Sequence, residues 1–519
     1  MKRIIIAFSL FLAGTIPAFA QTENDGTTVQ AVDEIVGPVT GFLNDIVFHP
    51  IALTEEVSIP IIVIWLLGAA MFLTVYFRFL NFRAFRHAID IVRGIYDDPN
   101  DTGEVSHFQA LTTALSGTVG IGNISGVAIA VSMGGPGATF WMIVAGLMGM
   151  SSKFAECTLG VKYRVTHADG SVSGGPMYYL QQGFARRGMG RLGILLAGFF
   201  ALTCVGGAFG GANMFQINQA SQQLISVTGG AESPLFGHGW VIGLAMAVVV
   251  AFVIIGGIKS IAKVTDKIVP LMVGVYLLGA LGVILAHWQQ IPTALLSIVT
   301  EAFGTEAVSG GLIGVLVIGF QRAQFSNEAG LGSASIAHAA AKTNEPVSEG
   351  VVALLEPFID TVVVCTVTAL VIIISGEYQS GGEMEGIALT SRAFESVFGW
   401  FPFLLSAAVI LFALSTLLSW SYYGMKAWAF VFGDSNISNL TYKILFCGVI
   451  VLGASISQTN VVDLSNILIF SMGIPNVIGL YLMAPELKRD VALYFAKLKA
   501  GKIPRFDKPA ENTSGVIPN

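Results

Sequence analysis

Ser116-Gly-Thr-Val-Gly-Ile-Gly-Asn-Ile-Ser-Gly126 sits in the middle of an apolar run over 108–133 that is long enough to cross a bilayer. A glycine costs about 1 kcal/mol against alanine in a helix interior. The four glycines between Gly117 and Gly126 therefore invite the helix to unwind at mid-membrane. Unwound backbone is tolerated at that depth only where it is buried in protein or lines a cavity. There, freed N–H groups can bind an anionic group and freed carbonyls a cation. The competing reading is a glycine-rich packing face between straight helices. The rest of the chain has to choose between them.

The composition around this stretch belongs to a membrane. Of 519 residues, 54% are hydrophobic and 12% charged, against about 25% charged in a soluble protein. The mean hydropathy is +0.73, and 60 glycines suit helices packed closely on small side chains. The net charge of −6 says less than where the charges stand. No basic tract with interleaved aromatics points to nucleic acid, and no obligate protein partner is expected. Cys157, Cys204, Cys365 and Cys447 each lie in apolar runs without metal-ligand spacing, and read as small buried hydrophobes.

Residues 1–20 have the layout of a cleavable signal. Lys2 and Arg3 precede an apolar run, and Ala18-Phe19-Ala20 supplies a small-x-small end. An uncleaved N-terminal helix is the alternative. Residues 21–58 read as an extracytoplasmic segment, 59–485 as the transmembrane domain and 486–519 as a cytoplasmic tail. The fold class is an all-α polytopic membrane protein with about eleven spans. An extra helix near 59–79 precedes ten core helices. These lie near 108–133, 136–160, 191–224, 239–257, 268–287, 309–340, 350–375, 402–430, 441–458 and 462–484, and are called core helices one to ten below.

Charge placement sets the orientation. Arg78, Arg83, Arg86 and Arg93, then Lys153, Lys162, Arg164, Arg186, Arg187 and Arg191, all fall on one side of an alternating eleven-helix chain. Lys259, Lys263, Lys267, Lys342, Lys426, Lys443 and the basic tail join them, whereas the opposite loops carry only Arg392. The mature N-terminus is then outside and the C-terminus cytoplasmic.

Core helix six repeats the oddity of core helix one, in Gly319-Phe-Gln-Arg-Ala-Gln-Phe-Ser-Asn-Glu-Ala-Gly-Leu-Gly-Ser333. Arg322 and Glu328 are ionisable groups inside an apolar span, which makes a functional role the starting hypothesis. A membrane-edge position, a structural ion pair and a gate all remain open for them. Both interrupted segments contain Asn-x-x-Gly, at Asn123 and Asn327. They are five helices apart, so the second five-helix unit would be inverted relative to the first. Paired interruptions in corresponding positions point to the central site of a transporter.

At this point the residues resemble the alanine/glycine:cation symporters, over roughly 55–490. The blocks that carry the likeness are 116–126 (SGTVGIGNISG), 134–141 (GGPGATFW), 174–180 (GGPMYYL), 325–341 (FSNEAGLGSASIAHAAA) and 419–424 (SWSYYG). The resemblance implies a LeuT-type fold, with a 5+5 inverted repeat and broken core helices one and six. The implied activity is sodium-coupled uptake of a small neutral amino acid, alanine or glycine, across a bacterial inner membrane. A related symporter for another small solute, or one coupled to protons, is the rival. Residues before 55 and after Lys502 lie outside the likeness.

A zwitterionic substrate needs donors for its carboxylate and acceptors for its ammonium. The N–H groups near Thr118, Gly120, Gly122 and Asn123 suit the carboxylate, helped by a half-helix N-terminus. Carbonyls of a helix-six break at 320–325, beginning with Phe320, suit the ammonium. Phe215 and Gln216 of core helix three are implied to face the substrate, although a buried glutamine also serves as interhelical glue. Trp420 would cap a small pocket, or simply pack. For sodium, the resemblance implies a first site from Ser116, Val119, Phe412, Ser415 and Thr416. A second would use Thr118, Asn123, Asp360 and Thr361. Asp360 could equally pair with Arg322 or carry a proton. Sodium is the co-transported ion, membrane lipid the surroundings, and no organic cofactor is expected.

An enzyme would show paired intramembrane aspartates, HExxH or a serine–histidine pair. None of the seven histidines pairs with such a nucleophile in the sequence. A channel would want a ring of charges or carbonyls from several subunits, and no such pore is visible.

Overall fold

The computed structural model describes residues 41, 44–52, 58–304, 311–379, 386–397, 399–455 and 458–506. The signal-like segment 1–20 and most of 21–58 lie outside those residues. Each of the eleven segments expected to span carries helix. Six helices are long and apolar enough to cross a bilayer, or seven when a bent pair counts as one. Ile61–Tyr76 and Gly239–Ile254 are apolar but shorter. The chain forms a multi-pass α-helical membrane protein. Its β structure among the described residues is two short antiparallel pairs, Pro50–Ala52 with Ser58–Pro60 and Val165–Thr166 with Val172–Ser173.

Core helix one starts on a capping box. The Ser106 hydroxyl accepts from the Gln109 N–H, and the Gln109 side chain accepts from the Ser106 N–H. His107–Thr118 then ends in mid-protein, with Gly120 fully extended (φ −131°, ψ −160°). A short turn over Ile121–Asn123 leads into Ser125–Gly134, and the two halves meet at a 62° bend. The glycine-rich stretch is therefore a break and not a packing face.

Core helix six breaks later than its sequence suggests. It stays helical over Gly311–Asn327, so the carbonyls of 320–323 are spent in its own ladder. The chain then takes the left-handed conformation at Glu328 (φ +55°), Gly330 (φ +88°) and Gly332 (φ +89°) before helix resumes over Ala334–His338. The glycines adopt it freely, whereas Glu328 spends about 1–2 kcal/mol there. Three left-handed residues in five stop a helix more firmly than the polar residues before them.

Core helices two, three, seven and eight surround these breaks. They run over Gly137–Lys162, Gly190–Val227, Pro346–Ser375 and Phe401–Phe432. Helix three widens to a π turn over Gly210–Met214, and helix seven over Phe358–Cys365. Such bulges recur at functional sites. Core helix five begins at Gly257, a few turns before its expected start, with Lys259, Lys263 and Lys267 inside it. Core helix ten continues through Gln458–Lys499, past its expected end at 484. Its extension is pinned where Lys162 meets Glu486 at 2.6 Å and Arg187 meets Glu486 at 2.7 Å.

Several predicted same-side loops do meet at one end of the molecule. Arg164 ties them together by donating to the carbonyls of Thr102, Ala339, Ala341 and Thr343 at 2.6–2.8 Å. Lys153 departs from its expected place. The charge pattern places it with the basic loops, but it is fully buried in helix two, 3.4 Å from Glu356 and 3.7 Å from Glu156. The four cysteines are free, three of them buried.

A chamber between two broken helices

The two breaks face one another across a small chamber with about 20 Å³ of free space, room for a water or two. Helix one contributes Gly117, Thr118 and Gly122, and helix six contributes Phe325 and Glu328. Gly211, Ala212 and Gln216 come from helix three, Thr416 and Trp420 from helix eight, and Ile469 from helix ten. The second half of helix one is covered by a short helix, Ile387–Glu395, whose Thr390 hydroxyl donates to the Ile124 carbonyl at 3.3 Å.

The donors expected from helix one are partly occupied. Asn123 folds back so that its Oδ1 accepts from the Gly120 N–H at 2.9 Å, and the Asn123 N–H goes to the Gly120 carbonyl. Gln216 Oε1 accepts from the Ile121 N–H at 3.2 Å. That bond fixes the glutamine amide against the break, and Gln216 lines the chamber. Gly122 lines the cavity itself.

The first sodium group is assembled in part. Ser116 Oγ donates to the Ser415 carbonyl at 2.6 Å, and Ser415 Oγ donates to the Phe412 carbonyl at 2.9 Å. Thr416 Oγ1 is buried without a hydrogen-bond partner among the described residues, and a methyl on Gly120 would lie 2.8 Å from it. Ser116, Phe412, Ser415 and Thr416 thus converge on the break beside Val119. This is a set of neutral oxygens of the kind a monovalent ion takes.

Of the second group, three members converge. Asn123 Nδ2 donates to Asp360 Oδ1 at 2.6 Å. Ser326 and Thr361 hydroxyls donate to Asp360 Oδ2 at 2.7 and 2.8 Å. Thr118 instead turns its hydroxyl to the carbonyls of Ala114 and Leu115 within its own helix, the usual habit of a membrane threonine.

Phe320 does not reach the chamber. It packs on Trp141 with ring centroids 6.3 Å apart, about two turns before the helix-six break. Phe325 takes the expected place, and Phe215 stands edge-on behind it at 5.9 Å. The acceptor side of the break is also different. The Ala329 N–H goes to Asn327 Oδ1, so the Phe325 carbonyl accepts no backbone N–H among the described residues. Trp420 lines the chamber as expected, and its indole N–H donates to Glu328 Oε1 at 3.2 Å. Ser333 Oγ donates to Glu328 Oε2.

Sequence reading missed the polar core beneath the chamber. His107 and His338 both bond Glu349 through Nδ1, the latter at 2.5 Å. His338 Nε2 faces Glu356 at 3.5 Å, and Glu356 faces Lys153. Asn476 Nδ2 joins Glu156, at 3.0 Å, to the Gly330 carbonyl of the break, at 2.8 Å. The available signal was the spacing. Lys153 and Glu156 are three apart, and Glu349 and Glu356 seven apart, so each pair shares one face of an apolar helix.

Comparison with known proteins places this geometry. AgcS of Methanococcus maripaludis, a sodium/alanine symporter, is 40% identical, over 82% of this chain and 92% of that protein. AlsT of Bacillus subtilis, an amino-acid carrier protein, is 34% identical, over 89% of this chain and 96% of that one. Among solved structures, MhsT in complex with L-phenylalanine matches with a TM-score of 0.52 at 14% identity, covering 77% of this chain and 99% of that chain. That is a likeness of fold, of the LeuT type. A family model described as the sodium:alanine symporter family matches residues 45–508, and the chain belongs to that family.

Proposed function

We propose that this protein is a sodium-coupled symporter that carries a small neutral amino acid, alanine or glycine, across a bacterial inner membrane by alternating access. The observation that carries the reading is the chamber itself: two broken helices face one another across a small space lined by both polar and apolar side chains. The substrate carboxylate lies against Gly122 and the Gln216 amide. Sodium sits among Ser116, Val119, Phe412, Ser415 and Thr416, with a second site at Asn123, Asp360 and Thr361. Phe325, Trp420 and Ile469 leave room for a methyl group and little more. The mature N-terminus is outside and the basic end cytoplasmic, following the charge rule.

Purified protein in liposomes tests this directly. Labelled alanine should accumulate only under an inward sodium gradient, and unlabelled alanine or glycine should compete. Uptake that ignores sodium would reject the coupling.

A further inference from the structure

The buried charges do not balance. Among the described residues, the buried carboxylates are Glu156, Glu328, Glu349, Glu356 and Asp360, and the buried basic side chains are His107, Lys153 and His338. Even with both imidazoles counted as charged, five acids face three cations. Asp360 belongs to the second sodium group. Lys153 and the two histidines sit on Glu156, Glu349 and Glu356. The acid left over is Glu328, the one that lines the chamber.

Among the described residues, Glu328 forms no ion pair. Its oxygens take the indole N–H of Trp420 and the hydroxyl of Ser333, both neutral donors. Around it stand Lys153 from helix two, Glu356 from helix seven, Tyr423 from helix eight and Cys204 from helix three. Lys153 is already shared between Glu356 and Glu156. A bare carboxylate in that setting is costly without a cation beside it, and a substrate ammonium would be that cation.

We propose that Glu328 is the acceptor for the ammonium group of the substrate, and that loading the chamber releases one proton. The inference rests on the transport reading above. The exchange balances. The carboxylic acid of Glu328 gives its O–H proton to bulk buffer, and the resulting carboxylate pairs with the incoming ammonium. No covalent bond to the substrate forms. The zwitterion is thereby oriented, with its carboxylate toward Gln216 and helix one and its ammonium toward helix six. Trp420, bonded to the same carboxylate, is placed to sense whether the site is filled.

The test is calorimetric titration of the purified full chain with alanine, in saturating sodium, in two buffers of different ionisation heat. The wild type and Glu328→Asp should release close to one proton per alanine near neutral pH. Glu328→Gln should release none and bind alanine about 100-fold more weakly. Normal alanine binding without proton release in the wild type would overturn the inference and leave the transport reading standing. Proton release from Glu328→Gln equal to that of the wild type would overturn it as well. Absence of any alanine binding in sodium would instead remove the transport reading beneath it. If Glu328→Gln does not fold, the wild-type proton count still decides.

Discussion

Asn123 Nδ2 lies 2.6 Å from Asp360 Oδ1, which ties the break of core helix one to the π turn of core helix seven. The same side chain holds the Gly120 N–H through its Oδ1. One amide therefore shapes the break and supplies a donor to a buried carboxylate. Asn123→Ala removes both bonds, and a hydrogen bond to a charged group is worth about 1.5–3 kcal/mol. The variant should reach the membrane at normal levels and lose transport. Alanine uptake within a few-fold of wild type would remove Asn123 from the site.

Lys153 makes a prediction about stability. It is fully buried between Glu356 and Glu156. Removing one partner of a buried ion pair leaves an uncompensated charge and costs about 3–5 kcal/mol. Lys153→Met should therefore unfold at a lower temperature than wild type in detergent. Adding Glu356→Gln removes one stranded charge, so the double variant should recover part of the loss. A double variant no more stable than Lys153→Met alone would show that the pair is not energetically coupled.

Gly120 tests the first sodium group by shape. A methyl there would meet Thr416 Oγ1 at 2.8 Å and Gln216 Oε1 at 3.2 Å, whereas a methyl on Gly126 meets nothing within 4 Å. Gly120→Ala should raise the sodium concentration for half-maximal uptake at least tenfold. Gly126→Ala, equally part of the glycine-rich stretch, should leave it unchanged. Equal sodium dependence in the two variants would separate Gly120 from ion binding.

The contrast between these glycines shows what was legible in the sequence. Four glycines at mid-span announced the break of helix one, because local propensity alone destabilises a helix there. The break of helix six was announced but misplaced. Arg322 and Gln324 look out of place in a membrane, yet they are good helix formers, and the helix runs through them to Asn327. What ends it is the left-handed run at Glu328, Gly330 and Gly332. Gln216, Trp420 and the serine–threonine pair at 415–416 entered only through the family resemblance, and the structure puts Gln216, Thr416 and Trp420 on the chamber wall. The pairing of Lys153 with Glu356 was not, since 203 residues separate the partners and a lone lysine reads most simply as a loop marker. Phe325 replaced Phe320 for the same reason as the displaced break, because five residues rotate a helical side chain to another face.

Trp420 is placed to limit what the chamber accepts. It is 1% exposed, forms one wall beside Phe325 and Ile469, and is held by its bond to Glu328. Trp420→Ala removes both bulk and bond, and Trp420→Phe mainly the bond. If the indole sets substrate size, Trp420→Ala should admit larger neutral amino acids as competitors, while Trp420→Phe should keep the preference for small ones at reduced affinity. The measurement is inhibition of labelled alanine uptake by a series of neutral amino acids of increasing side-chain volume. An unchanged series in Trp420→Ala would move the size limit to Phe325 and Ile469, whose substitutions would then be expected to widen it.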